Sequence, residues 1–475
     1  MPFESRITRR NLLGGLAAGA LWPGAARSEG QGQTAAAPGR PWELFTFSAD
    51  VTPLVGHPCM GGGIAPVKLI LDPLEAIGFV LRGGSLAKPV AVVVVDWCEI
   101  RNDAYDAWRE AIAKAVGTDP LNVIVTAVHQ HDTPIADLTA ERLLEENNCT
   151  GRICNLAFHD LVVKRVARAA ATAVKKTPKR VTHIGMGRAK ADRVASNRRY
   201  VLADGSISYN RTSASKDPQA HKADEGTIDP WVKVLSFWNG DEPLLALSSY
   251  AIHPMAHYGQ GEVSADFVGM ARRARQKSLP GVVQIYASGC SGNVTAGKYN
   301  DGAPANRAEL AGRLEAAMAE AWRTTRREPL EHASLRLQPL RFKAREDDGF
   351  TEADLKKRLA DHEHPFGQCL AAMGLSWRKR LASDQPIALP TLDLGHALLS
   401  VAPGETYVEY QLLAEKLRPD RFVMTLGYGD AATGYIPTAS QLAEHDGNLR
   451  DWCWVDPTAE AVLTEGLKAA LKAGG

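Results

Sequence analysis

The run Val90-Ala91-Val92-Val93-Val94-Val95 has no polar residue on either face. A strand of that kind must be covered on both sides, which rules out an open sheet with one wet face. The stretch after it, Asn102 to Val116, places Tyr105, Trp108 and Ile112 at helical spacing. A second β-branched run then begins at Asn122 and ends in Val128-His129-Gln130-His131-Asp132-Thr133-Pro134. Pro134 cannot continue a central ladder, so this strand stops there. Residues two apart on a strand share a face, so His129 and His131 are expected to project together from the strand end. Two neutral imidazoles at a buried edge suit a metal ion. A hydrogen-bonded histidine pair near a turn is the plain alternative.

Strand-like and helix-like stretches alternate through the rest of the chain. Helices are expected at Leu156–Lys175, Asp266–Ser278, Ala305–Arg323, Tyr407–Lys416 and Thr458–Lys472, with one charged helical stretch over Phe350–Ala382. Strands are expected at Val232–Trp238, Leu244–Ala251, Val282–Tyr286 and Leu392–Val401, the first two joined by the hairpin signal Asn239-Gly240-Asp241. The pattern is α/β with some antiparallel pairing.

The N-terminus reads differently. Arg9-Arg10 precede a short apolar run, Leu12 to Trp22, and small residues. That is the layout of a twin-arginine export signal, assigned to residues 1–28. Residues 29–44 read as a flexible leader rich in Gly, Gln, Ala and Pro, and residues 45–475 as one domain. Export by this route delivers a folded protein to the periplasm or the medium. The apolar run is too short for a stable membrane span and no later one follows, so contact with a membrane is expected to be transient and at its surface. A net charge of +1 gives no electrostatic case for nucleic acid. Seven cysteines in a chain this long do not make a disulfide scaffold, although Cys149 and Cys154 are close enough in sequence to pair after export.

Four more strand-like runs end in polar groups. They are Ser249-Tyr250-Ala251-Ile252-His253-Pro254, Tyr286 to Thr295, Leu398 to Glu405, and the stretch Gly427 to Pro437 that contains Tyr435. Function in α/β sheets gathers at strand ends. Taken singly, His253 reads as well as a core histidine, Glu405 as a helix N-terminal carboxylate and Tyr435 as core.

Taken in order, the motifs Asp50-Val51-Thr52-Pro53, His129-Gln130-His131, Asn197-Arg198-Arg199, His253-Pro254, Ser264-Ala265-Asp266, Gly292-Asn293-Val294-Thr295, Pro403-Gly404-Glu405 and Gly434-Tyr435-Ile436-Pro437 resemble the neutral/alkaline non-lysosomal ceramidase family. The resemblance runs from about Phe45 to the C-terminus. It implies two mixed β-sheets packed between helices, without the C-terminal immunoglobulin-like domain of the true ceramidases. It implies a Zn²⁺ ion held by His129, His253, Glu405 and Tyr435, with His131 and Arg198 polarising the substrate and Thr295 at the place of a family serine. The implied reaction is hydrolysis of the amide bond of an N-acyl lipid such as ceramide. The alternatives are a smaller N-acyl or ester substrate, or an exported binding protein without turnover. Three departures bear on the substrate: Gly292-Asn293-Val294-Thr295-Ala296 stands for Gly-Asp-Val-Ser-Pro, His129-Gln130-His131-Asp132-Thr133-Pro134 for His-Thr-His-Ser-Gly-Pro, and the immunoglobulin-like domain is expected to be missing. Met60, Leu138, Trp452 and Trp454 are candidate walls of a substrate slot.

Overall fold

The computed structural model describes residues 40–472, and the twin-arginine segment lies outside them. The run Val90–Val95 is a strand with every residue buried. Its alternate side chains split between two cores. Val90, Val92 and Val94 face a second sheet, whose Phe237 ring lies 5.3 Å from that of Phe79. Ala91, Val93 and Val95 face the helices Asn102–Val116 and Leu156–Ala173. Full burial of each such Val contributes about 1.5–3 kcal/mol, so both layers must be present for this strand to form.

The result is a four-layer body of helices, sheet, sheet and helices. The first sheet runs in the order Val123–Ala127, Val90–Val95, Glu75–Arg82, Trp42–Asp50, Lys179–Val181. The second runs Val283–Ser288, Glu242–Tyr250, Trp231–Asn239, His183–Lys190, Arg326–Pro329. The helices Asp266–Ser278 and Pro304–Arg323 cover its outer side. A third sheet, Ser334–Leu340, Ile387–Asp393, Ala397–Val401 and Phe422–Leu426, packs with Pro365–Ala382 and Ala459–Ala470 around a separate core. The expected mixed α/β architecture is present, with this third sheet added. Among the described residues no helix is long and apolar enough to cross a membrane.

Each main sheet contains one parallel pair at an edge: Val90–Val95 with Val123–Ala127, Glu242–Tyr250 with Val283–Ser288, and Ala397–Val401 with Phe422–Leu426. The carboxyl ends of these three pairs are tied to one another. Gly427 N donates to Ser288 O (3.0 Å), Ala127 N to Tyr428 O (3.0 Å), Ser288 Oγ to Val128 O (2.7 Å) and Thr126 Oγ1 to Gly427 O (2.7 Å). Three sheets therefore deliver their strand ends to one place.

Several local expectations need correction. The strand carrying the histidines ends at Ala127, and His129 takes a left-handed backbone with φ 71°. His129 and His131 thus meet through a loop rather than along one face of a strand, because Val128 N and His129 N donate to Val95 O and Trp97 O and bend the chain over the sheet end. Leu392–Val401 is a hairpin of two strands, turned at Gly395 (φ 79°), whose N–H donates to Asp393 Oδ1. The charged stretch is two helices, Glu352–Leu359 and Pro365–Ala382; Thr351 caps the first and Pro365 begins the second. The strand Trp42–Asp50 takes in the last residues of the stretch read as leader. Cys149 and Cys154 are free and buried. Their thiols turn to different partners, Cys149 Sγ to Gln368 Oε1 (3.3 Å) and Cys154 Sγ to Asp137 O (4.0 Å).

Candidate metal centre

His129 follows the first parallel pair. Its Nδ1 lies 3.1 Å from Cys98 O, and its ring stacks on Tyr428 at 4.2 Å and 14°. His253 follows the second pair, with Nδ1 2.7 Å from Ser291 O and 3.2 Å from Val294 O. Carbonyls only accept, so both Nδ1 atoms are assigned the proton and both Nε2 atoms present a lone pair. Glu405 follows the third pair in a two-residue strand, Glu405–Thr406, beside Tyr435–Ile436. Its Oε2 lies 3.1 Å from His129 Nε2 and 3.1 Å from His253 Nε2. All three side chains are buried.

Two imidazole lone pairs and a carboxylate oxygen converging in a buried site repel one another unless a cation or shared protons sit among them. The donor set suits a zinc-like ion: two neutral imidazoles and one carboxylate leave a coordination position open. The charges respond accordingly. Burial alone would push the Glu405 carboxyl up, but the His129 and His253 rings outweigh it and hold it well below the usual range. Burial opposes the charge on His129, yet Glu405 beside it raises that ring overall. His253 is lowered to about 4 by burial and by Arg198. A second triad, Cys98, His129 and His131, also lies within 4.8 Å. It is the poorer cradle, because burial and the neighbouring Glu99 keep the Cys98 thiol protonated and His129 Nδ1 faces Cys98 O.

Arg198 is buried beneath the cluster. Its Nη1 donates to Tyr435 Oη (2.7 Å) and Gly292 O (3.1 Å), and its Nη2 lies 3.3 Å from His253 Nε2. Tyr435 is thereby brought to the centre through Arg198. Burial keeps its phenol protonated, well above its ordinary range, although Arg198 pulls the other way. His131 Nε2 lies 3.2 Å from His129 Nε2, while His131 Nδ1 is buried without a partner. Burial and the two other imidazoles hold His131 neutral, with its pKa well below the ordinary value.

Thr295 sits in a short ladder opposite Ser196, and its hydroxyl accepts from Gly297 N (3.2 Å) within its own loop. The loop as a whole is a cradle. Its carbonyls at Ser291, Gly292 and Val294 hold His253 and Arg198, and Asn293 ties it to the helix Val408–Leu417 by accepting from Val408 N and donating to Glu409. Gly292 allows this loop to lie against Glu405, since a Cβ there would stand 2.1 Å from Glu405 O.

Sequence reasoning passed over three groups. Glu99 is fully buried behind His129, its Oε1 4.0 Å from Nδ1, with Arg101 Nη1 and Trp452 Nε1 donating to its carboxylate. Burial pushes Glu99 up to about 7. Tyr428 pins the His129 ring. Asp132 accepts from Gly259 N and Gly261 N and so holds the loop that sets Tyr258 beside His131, ring centroids 5.8 Å apart. The polar cluster Asp96-Trp97-Cys98-Glu99 at a strand end was the available signal for Glu99. Of the candidate walls, Trp452 and Trp454 belong to the third core, and Met60 and Leu138 are half-buried beside cores.

No family model matches the chain, and no curated protein matches it in sequence. Solved structures do share its fold. A structure described as a ceramidase complexed with C2 is 17% identical, with a TM-score of 0.67, over 91% of this chain and 75% of that one. The neutral ceramidase from Pseudomonas aeruginosa is 17% identical, with a TM-score of 0.65, over 91% of this chain and 74% of that one. The α/β architecture expected from the order of the motifs is thus that of these structures.

Proposed function

We infer that the chain is a zinc-dependent hydrolase of N-acyl amides, ceramide among them, exported by its twin-arginine segment. The observation that carries this reading is the meeting of His129 Nε2, His253 Nε2 and Glu405 Oε2 at 3.1 Å contacts, from three separate sheets, in a fold shared with ceramidases. A zinc ion held by these three, with Tyr435 Oη as a fourth donor, would supply a Lewis acid that polarises the amide carbonyl and acidifies water. Arg198 places fixed positive charge where the carbonyl oxygen becomes an oxyanion, and its bond to Tyr435 Oη fixes the phenol beside it. His131 is neutral and its Nε2 faces the cluster, 3.2 Å from His129 Nε2, so it can take the proton of the attacking water and return it to the leaving amine. Water adds to the acyl carbon, the C–N bond breaks, and a carboxylic acid and an amine leave. The Thr295 hydroxyl is occupied within its loop and has no imidazole base among its partners, which favours a structural role over a nucleophilic one.

The test couples metal analysis to turnover. Purified protein should bind about one zinc per chain and release fatty acid from a short-chain fluorescent ceramide or a simple N-acyl amine. His129→Ala should lose zinc and turnover together. A His129→Ala protein that keeps full metal content, or a zinc-loaded wild type that cleaves no amide in such a screen, would reject the reading.

A further inference from the structure

A cleft of about 670 Å³ opens where the first and second sheets part, beside the helix Leu156–Ala173, and shares no residue with the metal centre. The strand Trp42–Asp50 records it in sequence. Trp42 and Leu44 point into the core between the sheets, and Phe45 and Phe47 point to the helices on the other side. Alternation sends Thr46 and Ser48 the way of Trp42 and Leu44, yet both are polar and both line the cleft. Ile77 forms apolar floor.

The charge lining this cleft is one-sided. Its acid, Glu75, is taken by Arg272 Nη2 at 3.0 Å, and Arg272 is itself clamped to Asp96 at 2.7 and 2.8 Å. Arg165, Arg168 and Lys176 are exposed on the opposite wall and make no salt bridge among the described residues. Arg165 spends one nitrogen on Asp50 O (2.8 Å). Arg273 is spent on Asp72 through Nη2 (2.7 Å). Three cations without counter-charge around a concavity concentrate anions there, and guanidinium forks match phosphate oxygens. The volume lies in the usual small-ligand range of about 300–1,000 Å³.

We propose that this cleft binds a phosphate-bearing anion, gripped by Arg168 and Lys176 with Arg165 beside them. The source is either a free organic phosphate or the headgroup of an anionic phospholipid, and the experiment separates the two. Pyrophosphate is titrated calorimetrically into the full chain at matched ionic strength, and co-sedimentation is measured with phosphatidylglycerol and with phosphatidylcholine vesicles. The variant is R168E/K176E, two exposed positions whose exchange should leave melting temperature and metal content at wild-type values. The wild type should bind pyrophosphate saturably, and the variant should bind it at least about tenfold more weakly. Co-sedimentation with phosphatidylglycerol alone, lost in the variant, assigns the site to a lipid headgroup; pyrophosphate binding without co-sedimentation assigns it to a free phosphate. Absence of both kinds of binding in the wild type, or equal binding by wild type and variant, overturns the proposal.

Discussion

Gly292→Ala tests whether the metal centre depends on the close approach of two backbone segments. A Cβ at Gly292 would stand 2.1 Å from Glu405 O and 2.7 Å from Tyr407 Cδ1. Ordinary van der Waals contact begins near 3.4 Å, so the loop and the Glu405 strand must part by about 1.3 Å. The bond from Gly292 N to Thr406 O, now 3.0 Å, cannot survive that, and the bond from Arg198 Nη1 to Gly292 O is strained with it. At about 1 kcal/mol net for the lost bond and about 1–3 kcal/mol for overpacking, the variant should lose roughly 2–4 kcal/mol of stability. The same loop holds His253 through Ser291 O and Val294 O, so the imidazole moves with it, away from Glu405. Zinc–ligand bonds of about 2.0–2.2 Å tolerate only a few tenths of an ångström. Zinc affinity should therefore fall on the order of 100-fold. The assay is competition against a chromophoric chelator alongside thermal melts. Gly312→Ala is the control, a helical glycine with nothing within 4 Å of a new Cβ, and it should bind zinc normally. A folded Gly292→Ala protein with wild-type zinc affinity would refute the reasoning.

Three further outcomes are expected. Thr295→Ala should keep a substantial share of turnover, read as kcat on the best substrate of the amide screen, and intact-mass spectra should show no acyl adduct on the wild type; near-complete loss together with a trapped adduct would make Thr295 the nucleophile. His159 is buried in the helix Leu156–Ala173 and burial lowers it from 6.5 to about 4. The unfolded chain takes up that proton first, so stability is full above about pH 6.5 and falls as the pH drops towards 4, by roughly 3 kcal/mol at about 1.4 kcal/mol per pH unit. Denaturant melts of His159→Gln against the wild type across that window should show the acid slope reduced by this amount; parallel slopes would contradict it. Replacing Arg9 and Arg10 with Lys should leave the precursor in the cytoplasm, checked by fractionation, and normal export of that protein would reject the twin-arginine reading.

His129, His253, Glu405 and Tyr435 were legible because each breaks an apolar run where a strand ends, and the order of those breaks resembles a known arrangement. Their convergence has a cause in the fold. A single sheet with one topological switch offers one crevice at its strand ends. Here the carboxyl ends of three parallel pairs are bound into one knot by Ser288, Gly427 and Tyr428, so side chains 152 residues apart, such as His253 and Glu405, meet at 3.1 Å. What the sequence hid belongs to that knot. Tyr428 reads as part of a Gly-rich turn, and it stacks on His129 only because the third sheet is tied to the first. Glu99 reads as a polar turn residue, and it is buried only because Trp452 and Arg101 close over it. The left-handed backbone of His129 has no glycine to announce it; it is imposed by two backbone bonds to Val95 and Trp97. Local pattern thus names the groups that protrude from strand ends, whereas the groups that orient them are chosen by contacts between sheets, which no periodicity in a single stretch records. On that account the cluster of His129, His253 and Glu405 should tolerate change in the exposed rim of the body, and come apart when the knot is loosened at Ser288 or the loop beside it at Gly292, residues outside the cluster itself.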